Sequence, residues 1–290
     1  MTDFSLFTLE SPLPPQWMMY PNIPYGSIGW RMGYGESYRY LLGDWLEMLS
    51  KEEQQRYDEM FPEPLLWDFE RYQDIEGALI SFWQEDGQPA YNRTQLIVDH
   101  QAGKPIEYLF FWGHQPSKDG SITKSCLSQW WISNFISNVN YEYCCMEQYM
   151  MQQKAELFND EEIAEKIMAS QDPKTIKTLG RKVRHFDEAI WNRYKYSIVL
   201  NGNFDKFLQN KAMRDFLLST GTKVIVEASP YDKVWGIGLK ETDENTTQPE
   251  KWQGENLLGF ALMEVRTELQ RIYANEHLID WEKVKTLLTK

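Results

Sequence analysis

The stretch CCMEQYMMQQKAELF, residues 144–158, has the spacing of an amphipathic helix with two charges on its apolar side. At 100° per residue from Met146, the residues Met150, Leu157, Phe158 and Met151 fall within roughly 20° to 140°, a core-facing sector. Glu147 and Lys154 land at roughly 100° and 80°, inside that sector and about 10 Å apart along the axis. Gln148, Gln152, Glu156 and Asn159 take the opposite, polar face. Desolvating an isolated charge costs several kcal/mol, so a charge in an apolar stripe must be paired, neutralised or used. This helix therefore stores a structural ion pair or lines a site.

The rest of the composition frames that choice. A chain of 290 residues with 42% hydrophobic and 14% aromatic residues can bury a large core. Its net charge of −13 argues against a protein that simply coats nucleic acid or an anionic membrane. Three cysteines, Cys126, Cys144 and Cys145, cannot form a disulfide framework, which points to a reducing, cytoplasmic setting. The first residues, MTDFSLFTLESPLPP, lack a basic segment followed by an apolar one. Apolar runs of spanning length are absent as well, so no membrane association is expected.

Upstream of the helix the texture changes twice. Residues 1–20 are Pro-rich and are expected to run over the surface, and 20–40 read as Gly- and aromatic-rich loop. Helical spacing follows over Glu36 to Leu49, then a Ser50/Glu53 capping box starts a helix closed by Pro62, and Leu65 to Tyr72 is a further candidate. Three runs, ALISFWQ, TQLIVDH and IEYLFFWG, are rich in β-branched and aromatic residues and predict a small antiparallel sheet. A boundary is placed near Lys104, giving an accessory region 1–105 and a main domain 106–290.

Downstream the chain is mostly helical. Asp160 caps Glu161 to Ala169, and Asp172-Pro173 opens another helix. Helices are expected over Phe186 to Val199, Lys206 to Leu218 (ended by Thr220-Gly221) and Asn256 to Ala274, with a strand at Lys223 to Ala228. The fold class is α+β, mostly α, with a small antiparallel β element, preceded by an N-terminal extension of short helices and strands.

Three constellations could carry chemistry. The first is Glu147 with Lys154. The second is VEASPYDKVWGIGL, where Glu227 closes a strand, Asp232 follows a Pro-containing turn, and Trp235-Gly236-Ile237-Gly238 offers an aromatic face and close backbone approach. Read alone, that segment is equally a Gly-rich turn with a packed Trp. The third is KTIKTLGRKVRH, Lys174 to His185, whose five Lys or Arg residues form a solvated helix face or a phosphate contact. Asn210 and Asn256 read as caps or ligands. Walker A, complete G-x-G-x-x-G, H-E-x-x-H and paired C-x-x-C motifs are all missing. With four scattered histidines, no metal or cofactor is called for, and the chemistry rests on carboxylates and a lysine.

At these residues the sequence resembles the NADAR, or YbiA-like, family. The matching motifs are LSQWW at Leu127, MEQYMMQQKA at Met146, LGR at Leu179, KFLQN at Lys206, LLSTG at Leu217, VEASPYDKVWGIGL at Val226 and WQGENLLGFALMEVR at Trp252. They occur in the family's order and spacing across Ile106 to Asn275. The resemblance implies a mostly helical, multihelical domain that hydrolyses N-glycosidic bonds of ribosyl compounds. Two substrate classes come with it: phosphoribosyl intermediates of riboflavin synthesis, and ADP-ribose attached to guanine, including guanine in DNA. Its motif glutamate, lysine and aspartate fall on Glu147, Lys154 and Asp232, the implied catalytic set. Trp131, Arg181, Glu227, Trp235, Gly236 and Asn256 are the implied substrate contacts. Two positions depart from the family pattern. Gln148 stands where His is common, and Ser128-Gln129-Trp130 replaces the usual S-N-F.

These departures and the extra N-terminal region favour removal of ADP-ribose from guanine. The chain would then counter a DNA-modifying toxin, with ADP-ribosylated DNA and a cognate ADP-ribosyltransferase as partners. Hydrolysis of phosphoribosyl riboflavin intermediates is the runner-up, and a non-catalytic ADP-ribose or NAD binder the third reading. On the favoured reading, Asp232 must approach the Glu147 and Lys154 face around one pocket.

Overall fold

A computed structural model describes residues 4–65, 85–137 and 140–289. Whereas the sequence places a boundary near Lys104, the chain gathers into two compact units. One comprises Met1–Glu70, Asn138–Asn140 and Glu268–Lys290, and the other Arg71–Ser137 and Tyr141–Thr267.

The first unit is built on aromatic packing. Its helices include Gln16–Met19, Tyr34–Glu47, Lys51–Met60 and Trp281–Leu288. Ser50 and Glu53 form the reciprocal capping box that their spacing predicts. The Pro-rich start does not run over the surface: Leu13 and Trp17 are buried. Two buried tyrosines cause this, because the Tyr38 and Tyr57 hydroxyls donate to the carbonyls of Pro14 and Leu13 at 2.5 and 2.9 Å. Trp17 also meets Tyr273 edge-on at 5.6 Å. The candidate helix at Leu65 to Tyr72 and the run ALISFWQ lie outside the described residues, apart from Leu65.

The second unit carries the motifs. It contains α1 (Arg93–Gln101), β1 (Tyr108–Phe111), β2 (Phe135–Ile136), β3 (Glu142–Tyr143), α2 (Met146–Leu157), α3 (Glu161–Met168), α4 (Pro173–Gly180), α5 (Glu188–Gln209), α6 (Lys211–Ser219), β4 (Val224–Glu227) and the greater part of α7 (Leu257–Ile272). Among the described residues, no helix is long and apolar enough to cross a membrane. The architecture is α+β and mostly α.

At its centre stands α2, packed by α3, α4 and α5. Of the polar face expected of it, Glu156 and Asn159 are exposed, but Gln148 and Gln152 are buried, as is the neighbouring Gln153. An amide can be buried when its donors and acceptor are all used. The Gln148 amide donates to the carbonyls of Ile167, Met168 and Ser170 (2.9–3.2 Å) while its oxygen accepts the Cys144 N–H at 2.8 Å. The Gln152 oxygen accepts from the Tyr143 hydroxyl and the Gln153 amide. Close approach of α4 requires Gly180, where a Cβ would overlap the Met151 side chain.

Two further expectations give way. TQLIVDH is not a strand but most of α1, because Asn92 and Gln95 make a capping box and only Leu96 is fully buried. The two helices predicted over 186–218 break elsewhere: α5 continues through Gly202 to Gln209, and Asn210 separates it from α6. The sheet also differs. β1 pairs in parallel with β4, Phe111 opposite Glu227, while the antiparallel pair is β2 with β3.

Asn256 locks β4 in place. Its side chain accepts the Glu227 N–H at 3.0 Å and donates to the Ile225 carbonyl at 2.9 Å, from a backbone at φ 57° that Asn tolerates better than most residues. Asn256→Ala leaves two buried backbone groups unpaired and strains the turn. An unfolding free energy lower by about 2–4 kcal/mol is expected in urea titration; an unchanged midpoint would contradict this role.

Candidate active site

Two cavities adjoin in the second unit, of about 480 and 490 Å³. The first is lined by Glu147, Lys154 and Asp232 together with Glu227, Arg181 and Trp235. Glu227, Asp232, Arg181, Lys177, Trp130 and Ser128 form a wall common to both. Helix α2 supplies Glu147 and Lys154, the end of β4 supplies Glu227, and the turn after it supplies Asp232.

Glu147 is almost completely buried. Its Oε2 accepts the Trp130 indole N–H at 3.1 Å, and its Oε1 has no partner among the described residues. Burial pushes its carboxyl up to about 7, opposed by Lys177, the Trp130 hydrogen bond and Arg181, and reinforced by the Asp232 carboxylate. Glu227 is similar. Burial first and Asp232 second push it up to about 8, and its Oε2 is also buried and unpartnered. The Gln129 side-chain oxygen is a third buried acceptor without a partner on the same cavity. Asp232 holds the turn itself, its Oδ1 accepting the N–H groups of Val234 and Trp235 at 2.9 and 2.7 Å.

Lys154 does not pair with Glu147. Its Nζ donates to the Gly180 carbonyl at 2.9 Å and lies 4.0 Å from the Phe186 ring centroid. Burial lowers its pKa. With Lys177, Arg181 and half-buried Lys195 it gives the first cavity four cationic side chains against Glu147, Glu188, Glu227 and Asp232. Because two of those acids bind protons near neutral pH, the lining becomes net positive there despite the acidic chain.

Other implied contacts lie behind the cavity. Trp131 is buried and does not line it; Trp130, one residue earlier, does. Gly236 supports the wall, since a Cβ there would meet the Glu227 carbonyl at 2.8 Å. Asn256 sits behind β4. Gln148 faces α3 rather than the cavity.

Sequence reasoning missed Trp130, Lys177 and Lys206 as individual residues. Lys206 is fully buried and donates to the carbonyls of Cys126 and Ser128 at 2.6 and 3.1 Å, shaping the loop that carries Gln129 and Trp130. That loop is also tied to α2, as the Glu147 N–H donates to the Gln129 carbonyl at 2.9 Å. The KFLQN motif was the available signal for Lys206.

A NADAR domain model matches residues 110–270, more than half of the chain. The chain belongs to the NADAR family. "N-glycosidase R617" of Acanthamoeba polyphaga mimivirus is 44% identical over 169 residues, covering 57% of this chain and 98% of that protein. "Protein irg-1" of Caenorhabditis elegans is 35% identical, covering 53% and 78% of the two chains. "N-glycosidase Npun_R5314" of Nostoc punctiforme is 31% identical, covering 45% and 76%. Among the described residues of this NADAR protein, no group of three His, Cys, Asp or Glu side chains is arranged to hold a metal ion.

The raised carboxyl of Glu147 sets a pH dependence. Between the ordinary 4.5 and about 7 the folded chain keeps a proton that the unfolded chain has lost, so this group's contribution to stability falls as pH rises. Glu147→Gln removes that loss. The variant should be more stable than the parent at pH 8, by about 2–3 kcal/mol, and should differ little at pH 4.5. Thermal unfolding at the two pH values checks this; a variant less stable at pH 8 would contradict the protonation.

Proposed function

We propose that this NADAR protein is an N-glycoside hydrolase that binds a ribosyl group against Glu147 and Glu227 and cleaves its bond to a nucleobase. The observation that carries this reading is a pair of carboxyls on one cavity, each with a buried oxygen that has no partner among the described residues and each protonating near neutral pH. Unpartnered buried acceptors call for a ligand with hydrogen-bond donors, which ribose hydroxyls supply. N-glycosidase is also what two similar proteins, those of mimivirus and Nostoc, are named.

Breaking the C1′–N bond builds positive charge on C1′ and negative charge on the departing base. Glu227, protonated at neutral pH, donates a proton to the base. Glu147, close to half-ionised at pH 7, stabilises the oxocarbenium-like centre and takes a proton from the attacking water. The Asp232 carboxylate beside both helps hold their protons by repulsion. Lys177, Arg181 and Lys195 receive phosphate, and Lys154, held over Phe186, adds positive potential.

The favoured substrate is ADP-ribosylated guanine in DNA, which makes the chain an antidote to a DNA-modifying ADP-ribosyltransferase inside the cell. The cationic lining of the first cavity supports a diphosphate. Mass spectrometry after incubation with an ADP-ribosylated guanine oligonucleotide should show free ADP-ribose and restored guanine. Glu147→Gln should slow single-turnover release about 10²- to 10⁴-fold while remaining folded. Intact substrate after long exposure to ample parent protein defeats the favoured substrate, and turnover of a phosphoribosyl pyrimidine in its place would favour a riboflavin-type intermediate. ADP-ribose binding without release from any ribosylated base would leave a binding module.

A further inference from the structure

The second cavity has a different chemistry from the first. Trp112 and Tyr231 stand at it 54% and 85% exposed, with ring centroids 6.3 Å apart and planes at 53°. Deeper in, His114 meets Trp130 at 5.3 Å, and the Lys177 ammonium lies 5.5 Å from the same indole.

Strand pairing explains why these aromatics gather here. β1 and β4 run parallel with Phe111 opposite Glu227, so both chains leave the sheet at the same end. Trp112 directly follows Phe111, and Tyr231 follows Glu227 by four residues. Residues just past strand ends are held by the strands yet face outward. The register therefore sets the two exposed rings beside the catalytic end of β4.

We propose that this second cavity is the nucleobase subsite, and that Trp112 and Tyr231 form the platform on which the departing base stacks. The inference rests on the reading that ribose lies against Glu147 and Glu227, of which Glu227 belongs to the wall shared by the two cavities. A substrate crossing that wall puts its phosphates among the cations of the first cavity and its planar leaving group in the second. A ring sandwiched face to face needs about 7 Å between its neighbours, twice the 3.5 Å of van der Waals contact. At 6.3 Å and 53° the two side chains do not make that sandwich, so the base lies on one ring while the other closes against its edge. Tyr231 is open to solvent, which lets the base remain attached to a strand. The subsite thus fits a base within single-stranded nucleic acid, where aromatic platforms bind with a cation beside them.

The test compares two labelled single-stranded oligodeoxynucleotides, one with a single guanine and one with an abasic residue in its place, by fluorescence anisotropy. ADP-ribose binding is followed separately by calorimetry. The parent should prefer the guanine strand. Trp112→Ala with Tyr231→Ala should weaken that strand about tenfold or more and abolish the preference, with ADP-ribose affinity within about twofold of the parent. Trp112→Phe should recover most of the preference. A parent that binds both strands alike, a double variant that keeps the preference, or an equal loss of ADP-ribose overturns the subsite. Hydrolysis of ADP-ribosylated guanine without base preference would refute the subsite alone; preference without hydrolysis would refute the reaction alone.

Discussion

The cost of taking the Glu147 carboxylate out of water governs the arrangement around it. The surrounding protein offsets only part of that cost: one indole N–H reaches one oxygen, while Lys177 and Arg181 act from the cavity wall. The remainder appears as a proton held to about 7. A fully buried salt bridge with Lys154 would have removed it. Instead Lys154 reaches the Gly180 carbonyl and rests over Phe186, leaving Glu147 with an open acceptor. The second carboxyl at Glu227 repeats the pattern. Two groups in this condition on one cavity describe a site that is complete only with a ligand.

The supporting frame is correspondingly polar and satisfied. Gln148, Gln152 and Gln153 knit α2 to its neighbours, Lys206 fixes the loop beneath Gln129 and Trp130, and Asn256 pins β4 where Glu227 emerges. Buried polar groups that use all their hydrogen-bonding capacity specify position more sharply than apolar contacts. Gln148, one of the two departures from the family pattern, belongs to this frame. Gln129, in the other, touches the cavity.

Much of this was legible in the chain. The caps at Ser50, Asp160 and Asp172 mark helix starts, because capping is a local interaction written in adjacent residues. Helical spacing places Glu147 and Lys154 on one side of α2, and both line the first cavity with Asp232. The parallel pairing of β1 with β4 was not legible, since more than 100 residues separate Phe111 from Glu227. Nor was the burial of the α2 glutamines: polarity on one face reads as exposure unless the partners, here the carbonyls of Ile167, Met168 and Ser170 and the Tyr143 hydroxyl, are known. TQLIVDH misled because β-branched composition outweighed an Asn92/Gln95 box. Trp130 and Trp131 were indistinguishable because a turn has no period to assign inward and cavity-facing positions.

Direct titration of the two carboxyls bears most closely on this picture. In carbon-13 NMR of glutamate-labelled protein, two side-chain carboxyl signals should titrate near 7 and 8, and each should vanish in turn in Glu147→Gln and Glu227→Gln. If every glutamate signal instead titrates in the ordinary range around 4.3, the buried, proton-holding pair does not exist and the catalytic reading built on it fails.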